Sequence, residues 1–308
     1  MPKCVKRDAL AEQDMSRPKA SLLKDRGIVG IDGEEARSFL QGLVTNNVEE
    51  VSKGRAVYAA LLTPQGKYLF DFFIATSGDR LFLDCDASRV ADLIKRLNFY
   101  KLRAKITIQN LSGAYNVVAF WEGENFSLPE GSTLFPDPRL AELGHRAILP
   151  SDTFHPALAK SEAVVVDAEN YHRHRIALGI GETQDFEPER SFPLELNFDE
   201  LNGVDFKKGC FIGQEVTSRV KRRGSVRKRL VPCHVEGALP APGTSVTAEG
   251  REVGTIFSGD AATGMVLALL RLDLIKESSL IAGDARLTPQ IPSWLTQSAL
   301  EAEHGTGE

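Results

Sequence analysis

Residues 205–224 read DFKKGCFIGQEVTSRVKRRG. Cys210 stands between a lysine pair and a Gly-Gln-Glu, and a run of arginines follows at once. The segment GQEVTSRV predicts a helix that opens near Gly213, which puts the thiol just ahead of a helix N-terminus, with Gly209 supplying a tight turn. The positive helix end, together with Lys207 and Lys208, would favour thiolate over thiol and make Cys210 reactive. The plainer alternative is a small buried hydrophobe beside Phe211 and Ile212, and residue types alone leave both open. Seven of the eleven residues at 219–229 are Arg or Lys. Interrupted by Gly224 and Ser225, they read as a linker that either touches phosphate or a polyglutamate chain or is a solvated surface. No aromatic residue is interleaved, which argues against single-stranded nucleic acid.

Upstream, residues 27–51 read as a short strand ending at Asp32-Gly33 and a helix over 34–43 with Ala36, Phe39, Leu40 and Leu43 on one face. Thr45-Asn46-Asn47 stops it. Residues 56–76 hold two apolar runs joined by Thr-Pro-Gln-Gly at 63–66, the chemistry of a hairpin. Another strand and an amphipathic helix with Val90, Leu93, Ile94 and Leu97 follow, then strands at 105–111 and 115–121. A Pro- and Gly-rich connector over 127–150 leads to a helix over 167–180 and an acid- and proline-rich loop. From 228 onward the pattern is short strands broken by turns, which predicts a small C-terminal β domain.

With 308 residues, 42% of them hydrophobic, the chain can bury a substantial core. A formal net charge of -5 argues against a general polyanion binder. No apolar run approaches the roughly 18 residues of a membrane span, so no membrane partner is expected. Residues 1–20 lack an apolar h-region and carry Asp8, Glu12 and Asp14, fitting neither a secretory signal nor an acid-poor transit peptide. Cys4, Cys85, Cys210 and Cys233 show no Cys-x-x-Cys spacing, so reduced thiols and a cytoplasmic location are expected. His172 and His174 are two residues apart and do not share a helix face, so no metal site is expected.

Asp71 interrupts the apolar run YLFDFFIA and must be paired, exposed at an edge, or functional. Glu195, in FPLELNFD, follows a proline between leucines, as a carboxylate fixed by a rigid loop or one engaged in a salt bridge. Arg175 falls where a helix runs into Gly179.

KGCFIGQE at 208–215 resembles the signature of the YgfZ branch of the folate-binding, glycine-cleavage T-protein-like superfamily (CAF17-like), which includes iron–sulfur cluster maturation factors. The resemblance extends over most of 22–292: GIDGEEARSFLQGLVTNNV, LLTPQGKYLFDF, RIALGIGE, FPLELNFDELNGVDF and the terminal GTIFSG and GMVLALLRLD all match. It implies an α+β fold, mixed α/β subdomains around a folate-sized channel, with a small C-terminal β-barrel. The implied division is a flexible tail at 1–19, a folate-binding region at 20–225, the barrel at 226–292 and a polar tail at 293–308. The implied function is tetrahydrofolate-dependent assembly or repair of iron–sulfur clusters in client enzymes, including those that thiomethylate tRNA. An accessory factor is expected, with a tetrahydrofolate-dependent aminomethyltransferase as the alternative. Cys210, Lys208 and Asp71 are the candidate catalytic residues. Arg26, Arg175, Glu195, Asp71 and Gln214 are the candidate folate contacts, Glu195 because a carboxylate can accept the paired N–H donors of a pterin edge. Expected partners are folate and iron–sulfur client or assembly proteins, without direct nucleic-acid binding.

Overall fold

The computed structural model describes residues 17–123, 127–224, 226–275, 279–296 and Ala299. Two compact units emerge, and the chain passes between them several times. The first takes its described residues from Met1–Phe39, Val48–Val57 and Phe72–Tyr171, the second from Leu40–Asn47, Tyr58–Asp71 and His172–Glu308.

The first unit opens with β1 (Lys19–Leu22) and β2 (Arg26–Asp32). β2 reads RGIVGID and is buried along nearly its whole length, as a strand covered on both faces requires. A short helix, α1 (Ala36–Gln41), leads into β3 (Val57–Leu62) and the long β4 (Tyr68–Ser77), whose residues 58–62 and 68–71 are counted with the second unit, then β5 (Arg80–Asp86), α2 (Val90–Lys101) and β6 (Thr107–Asn110). These strands form one sheet in the order β3-β4-β5-β2-β6. Val90, Leu93 and Leu97 are the buried stripe of α2, spaced as a 3.6-residue period demands. A second sheet has the order β10-β1-β7-β9-β8, from β7 (Tyr115–Trp121), β8 (Thr133–Pro136), β9 (His145–Pro150) and β10 (Val164–Val165). Helix α3 (Phe154–Lys160) follows β9, and α4 (Ala168–Ala177) follows β10.

The interior of the first unit carries charge. Asp84 accepts from Arg26 Nε at 2.7 Å and from Arg146 Nη1 at 3.1 Å, and Arg146 Nε reaches Asp137 at 3.1 Å. Asp137 also takes two side-chain bonds from Arg139, at 3.0 and 2.8 Å. Burial alone would raise the Asp137 carboxyl, but Arg139 and Arg146 beside it hold it below the usual carboxylate range. The Phe73 ring lies under three guanidiniums, at 4.0 Å from Arg146, 4.8 Å from Arg139 and 5.7 Å from Arg26.

In the second unit, α5 (Gln214–Arg222) precedes β11 (Lys228–Glu236), β12 (Ser245–Ala248), β13 (Arg251–Asp260), β14 (Met265–Arg271), β15 (Leu280–Ala282) and β16 (Ala285–Pro289). The last six close into a barrel in the order β11-β14-β13-β12-β15-β16. Alternate residues fill it: Val231, Cys233 and Val235 from β11, and Val266, Ala268 and Leu270 from β14.

Three readings of the sequence change. The 127–150 connector contains two paired strands, β8 and β9, whose prolines and glycines sit at strand ends and turns. Helix α3 escaped notice because Pro156 lies inside it, in the first turn, where no intrahelical N–H is missed. Of the basic run at 219–229, Arg219–Arg222 close α5 and Lys228 and Arg229 open β11, with 223–227 between the two elements. Arg229 is buried, bonded to Asp199 at 2.9 and 3.0 Å. The expected tails at 1–19 and 293–308 lie largely outside the described residues, although Lys19 already belongs to β1.

Candidate functional site

Cys210 is exposed, whereas Cys85 and Cys233 are buried and burial pushes the Cys233 thiol up to about 12. The loop that presents it is held from both sides. Lys208 is buried, and its ammonium donates to the carbonyls of Gln41, Val44 and Asn46 at 2.8, 2.6 and 2.8 Å. On the other side Phe211 turns inward and is buried, its ring centroid 5.6 Å from the Lys208 ammonium. With 208 and 211 facing in, Gly209 and Cys210 face out. Asp205 begins the loop: its amide donates to Thr45 O at 3.0 Å, and its carboxylate accepts from Lys207 N at 2.7 Å.

The glycine that shapes this segment is Gly213, not Gly209. Gly213 caps α5 with φ +81, and a Cβ there would come within 2.7 Å of Thr63 O and 2.9 Å of Gly66 Cα. A side chain at 209 would meet open space. Helix α5 therefore starts against the 63–66 turn, where Thr63 N donates to Lys67 O at 2.8 Å and Gly66 adopts φ +75. Gln214 folds back to donate to Gly209 O at 3.4 Å, so it braces the loop.

Lys208 acts on the loop more than on the thiol. A lysine ammonium has three protons, and three carbonyls take them. Burial pushes the Lys208 ammonium down to about 8, with Asp205 opposing. The folded state therefore releases this proton before the unfolded chain does. Its charged form weighs against folding in full below pH 8, and that cost is relieved as pH rises from 8 toward the ordinary lysine value of 10.5. Wild type should gain up to about 3 kcal/mol over Lys208→Met across this window, read from paired urea titrations at each pH.

Asp71 lies in a different setting of the same unit. It is buried and accepts from three hydroxyls: Tyr68 at 2.6 Å, Thr183 at 2.7 Å and Tyr58 at 3.1 Å. Tyr58 stacks on Phe198 with centroids 4.9 Å apart, and Tyr68 meets Phe186 edge-on at 5.2 Å. The carboxylate is thus enclosed by the aromatic rings that carry or flank its donors. Tyr58, Tyr68 and Thr183 were missed in the sequence; the signal was there in the two tyrosines of the same hairpin, since a buried Asp in an apolar strand needs donors.

The arginines expected to face folate are engaged elsewhere. Arg26 is buried and gives Nε to Asp84 Oδ1 and Nη2 to Asp84 O, both at 2.7 Å. Arg175 is buried and gives Nη1 to Asp185 at 2.7 Å and to Ile180 O at 2.9 Å, with Nη2 2.8 Å from His172 Nδ1. Both guanidiniums are bonded to protein groups in this structure. Glu195 is half-buried, and one of its oxygens accepts from Phe192 N at 3.1 Å, which fixes the loop but occupies one arm of the fork a pterin would need. Among the described residues no group of three His, Cys, Asp or Glu is arranged to hold a metal ion.

Comparisons with known proteins now bear on this geometry. Residues 10–121 match the model of the GCVT N-terminal domain, and residues 227–297 that of the CAF17 C-terminal beta-barrel domain. The iron-sulfur cluster assembly factor IBA57, mitochondrial, of Mus musculus is 36% identical, over 90% of this chain and 85% of its own. The chain belongs to the IBA57 family. The Homo sapiens IBA57 protein is 32% identical over 88% of this chain and 84% of its own, and a Mycosarcoma maydis homolog 35% identical over 77% and 62%. The IBA57 fold is that of the glycine cleavage aminomethyltransferase: the T protein of Bartonella henselae superposes with a TM-score of 0.73 at 14% identity, covering 93% of this chain and 88% of its own. These IBA57 relatives also correct the expected cytoplasmic location. They are mitochondrial proteins, and they point to mitochondria instead.

Proposed function

We propose that the chain serves in the assembly or repair of iron–sulfur clusters and that Cys210 is the group that meets the partner. The observation that carries this is the loop itself: an exposed thiol held outward between two buried anchors, Lys208 and Phe211. The names of its IBA57 relatives support the cluster-assembly role. A soft thiolate is the natural ligand for iron or sulfur chemistry. Cys210 would contribute one thiolate, and the partner protein the remaining ligands. Client enzymes that thiomethylate tRNA and dependence on tetrahydrofolate are finer parts of the same proposal. The fold supports folate binding, Glu195 is the residue to test for it, and no step is routed through it.

The aminomethyltransferase alternative loses support from Asp71, because its two oxygens are already engaged by three protein hydroxyls.

A strain lacking the gene should lose activity of a radical-SAM thiomethylating enzyme, and the wild-type allele should restore it. Cys210→Ala should restore less than about a tenth of it, while its melting temperature stays within about 1 °C of wild type because the thiol is exposed. Full rescue by that allele would remove Cys210 from the mechanism. Tetrahydrofolate titrated into wild type and Glu195→Gln, followed by calorimetry, separates the folate question from the thiol.

A further inference from the structure

We propose that the C-terminal end of α2, in the first unit, is a docking surface for an acidic partner protein. The two most exposed large apolar side chains among the described residues are here, Leu102 at 88% and Phe99 at 71%. Lys95 and Phe99 lie four apart on the helix face opposite the buried stripe of Leu93 and Leu97, and Leu102 follows directly after the helix as its C-cap. Leu102 ends the helix at φ 45, an unusual conformation for a leucine, and its side chain stands in solvent where burial would be expected. Phe99 is braced from one side by Tyr100, with centroids 5.4 Å apart.

Charge says what covers it. Residues 95–105 contain Lys95, Arg96, Lys101, Arg103 and Lys105 and no acid, on a chain whose formal net charge is -5. None of the five forms an ion pair among the described residues. Exposed aromatic and aliphatic anchors rimmed by unpaired cations match a complementary surface that is acidic around an apolar centre. A second copy of the chain does not satisfy this, because a two-fold interface would set the five cations against five. A lipid surface is a weaker match: α2 keeps its buried stripe inside its own unit, so only the tip could enter a bilayer.

The test uses the full-length protein with a photoreactive phenylalanine analogue at position 99, irradiated in cells. The adduct is identified, and that protein is purified and titrated against the unlabelled wild-type chain. The expected result is one discrete adduct, to an acidic protein whose affinity falls at least about tenfold with Leu102→Ser and again with the pair Lys95→Glu and Arg103→Glu. Raising salt from about 50 to about 300 mM should weaken wild type more than the charge-reversed variant. All three substitutions are at exposed positions, so unchanged melting curves confirm that folding is not the cause. The proposal is overturned by absence of a discrete adduct, or by a purified partner that binds all variants equally. It is overturned too if the wild type instead co-floats with phosphatidylglycerol-containing vesicles, or self-associates, in a manner the same substitutions abolish. None of these outcomes depends on Cys210.

Discussion

Asp84→Asn should lower the stability of the first unit by about 3–5 kcal/mol, although the side chain keeps its size. Asp84 is fully buried and lies between two guanidiniums, Arg26 at 2.7 Å and Arg146 at 3.1 Å. Three buried arginines, Arg26, Arg139 and Arg146, share two buried carboxylates, Asp84 and Asp137. Removing this charge takes from Arg26 and Arg146 the anion they share, in surroundings where water cannot compensate. Urea unfolding of wild type and variant measures the difference. Asp32→Asn is the control. Its partner is Arg80 at 2.8 Å with both side chains 35% exposed, and its loss should change stability by less than about 1 kcal/mol. Equal effects from the two substitutions would show that burial does not govern these pairs.

Lys208→Met should cost about 3 kcal/mol at pH 7 and free the thiol loop. The methionine fills much of the same volume but donates nothing, so the carbonyls of Gln41, Val44 and Asn46 each lose a charged donor, at about 2 kcal/mol apiece, offset by about 3 kcal/mol because the buried charge is gone as well. This is a loop defect as well as a stability defect. Limited proteolysis should cut the variant near 205–213 under conditions in which wild type survives. If cleavage were unchanged, Phe211 alone would be holding the loop.

Much of this site was legible in the chain because its signals are local. A helix opening at Gly213, a hairpin turned by 63–66 and an alternating barrel strand each follow from a few adjacent residues. Long-range partners were not legible. Nothing within ten residues of Lys208 announces that it reaches carbonyls 162–167 positions away, and so it read as an activator of its neighbour, Cys210. The partners of Arg26 and Arg175 were not legible either, since a guanidinium committed to Asp84 or Asp185 looks in sequence like one held ready for a ligand. The basic run at 219–229 misled through counting. Lys221 and Arg229 both neutralise Asp199, at 2.8 and 2.9 Å, so part of that charge is spent internally. Asp199 is itself held below its ordinary range by these partners, against the opposing effect of burial.

The clasp on the thiol loop also sets an order of events during synthesis. The carbonyls of Gln41, Val44 and Asn46 leave the ribosome some 160 residues before the ammonium that will occupy them. At about 5–20 residues per second, they wait roughly 10–30 seconds. Until then Lys208 cannot reach those groups, and Cys210 does not yet exist. The protein can therefore present its exposed sulfur only after the earlier part of the second unit is there to hold it, so nascent chains too short to fold carry no exposed thiol at that position.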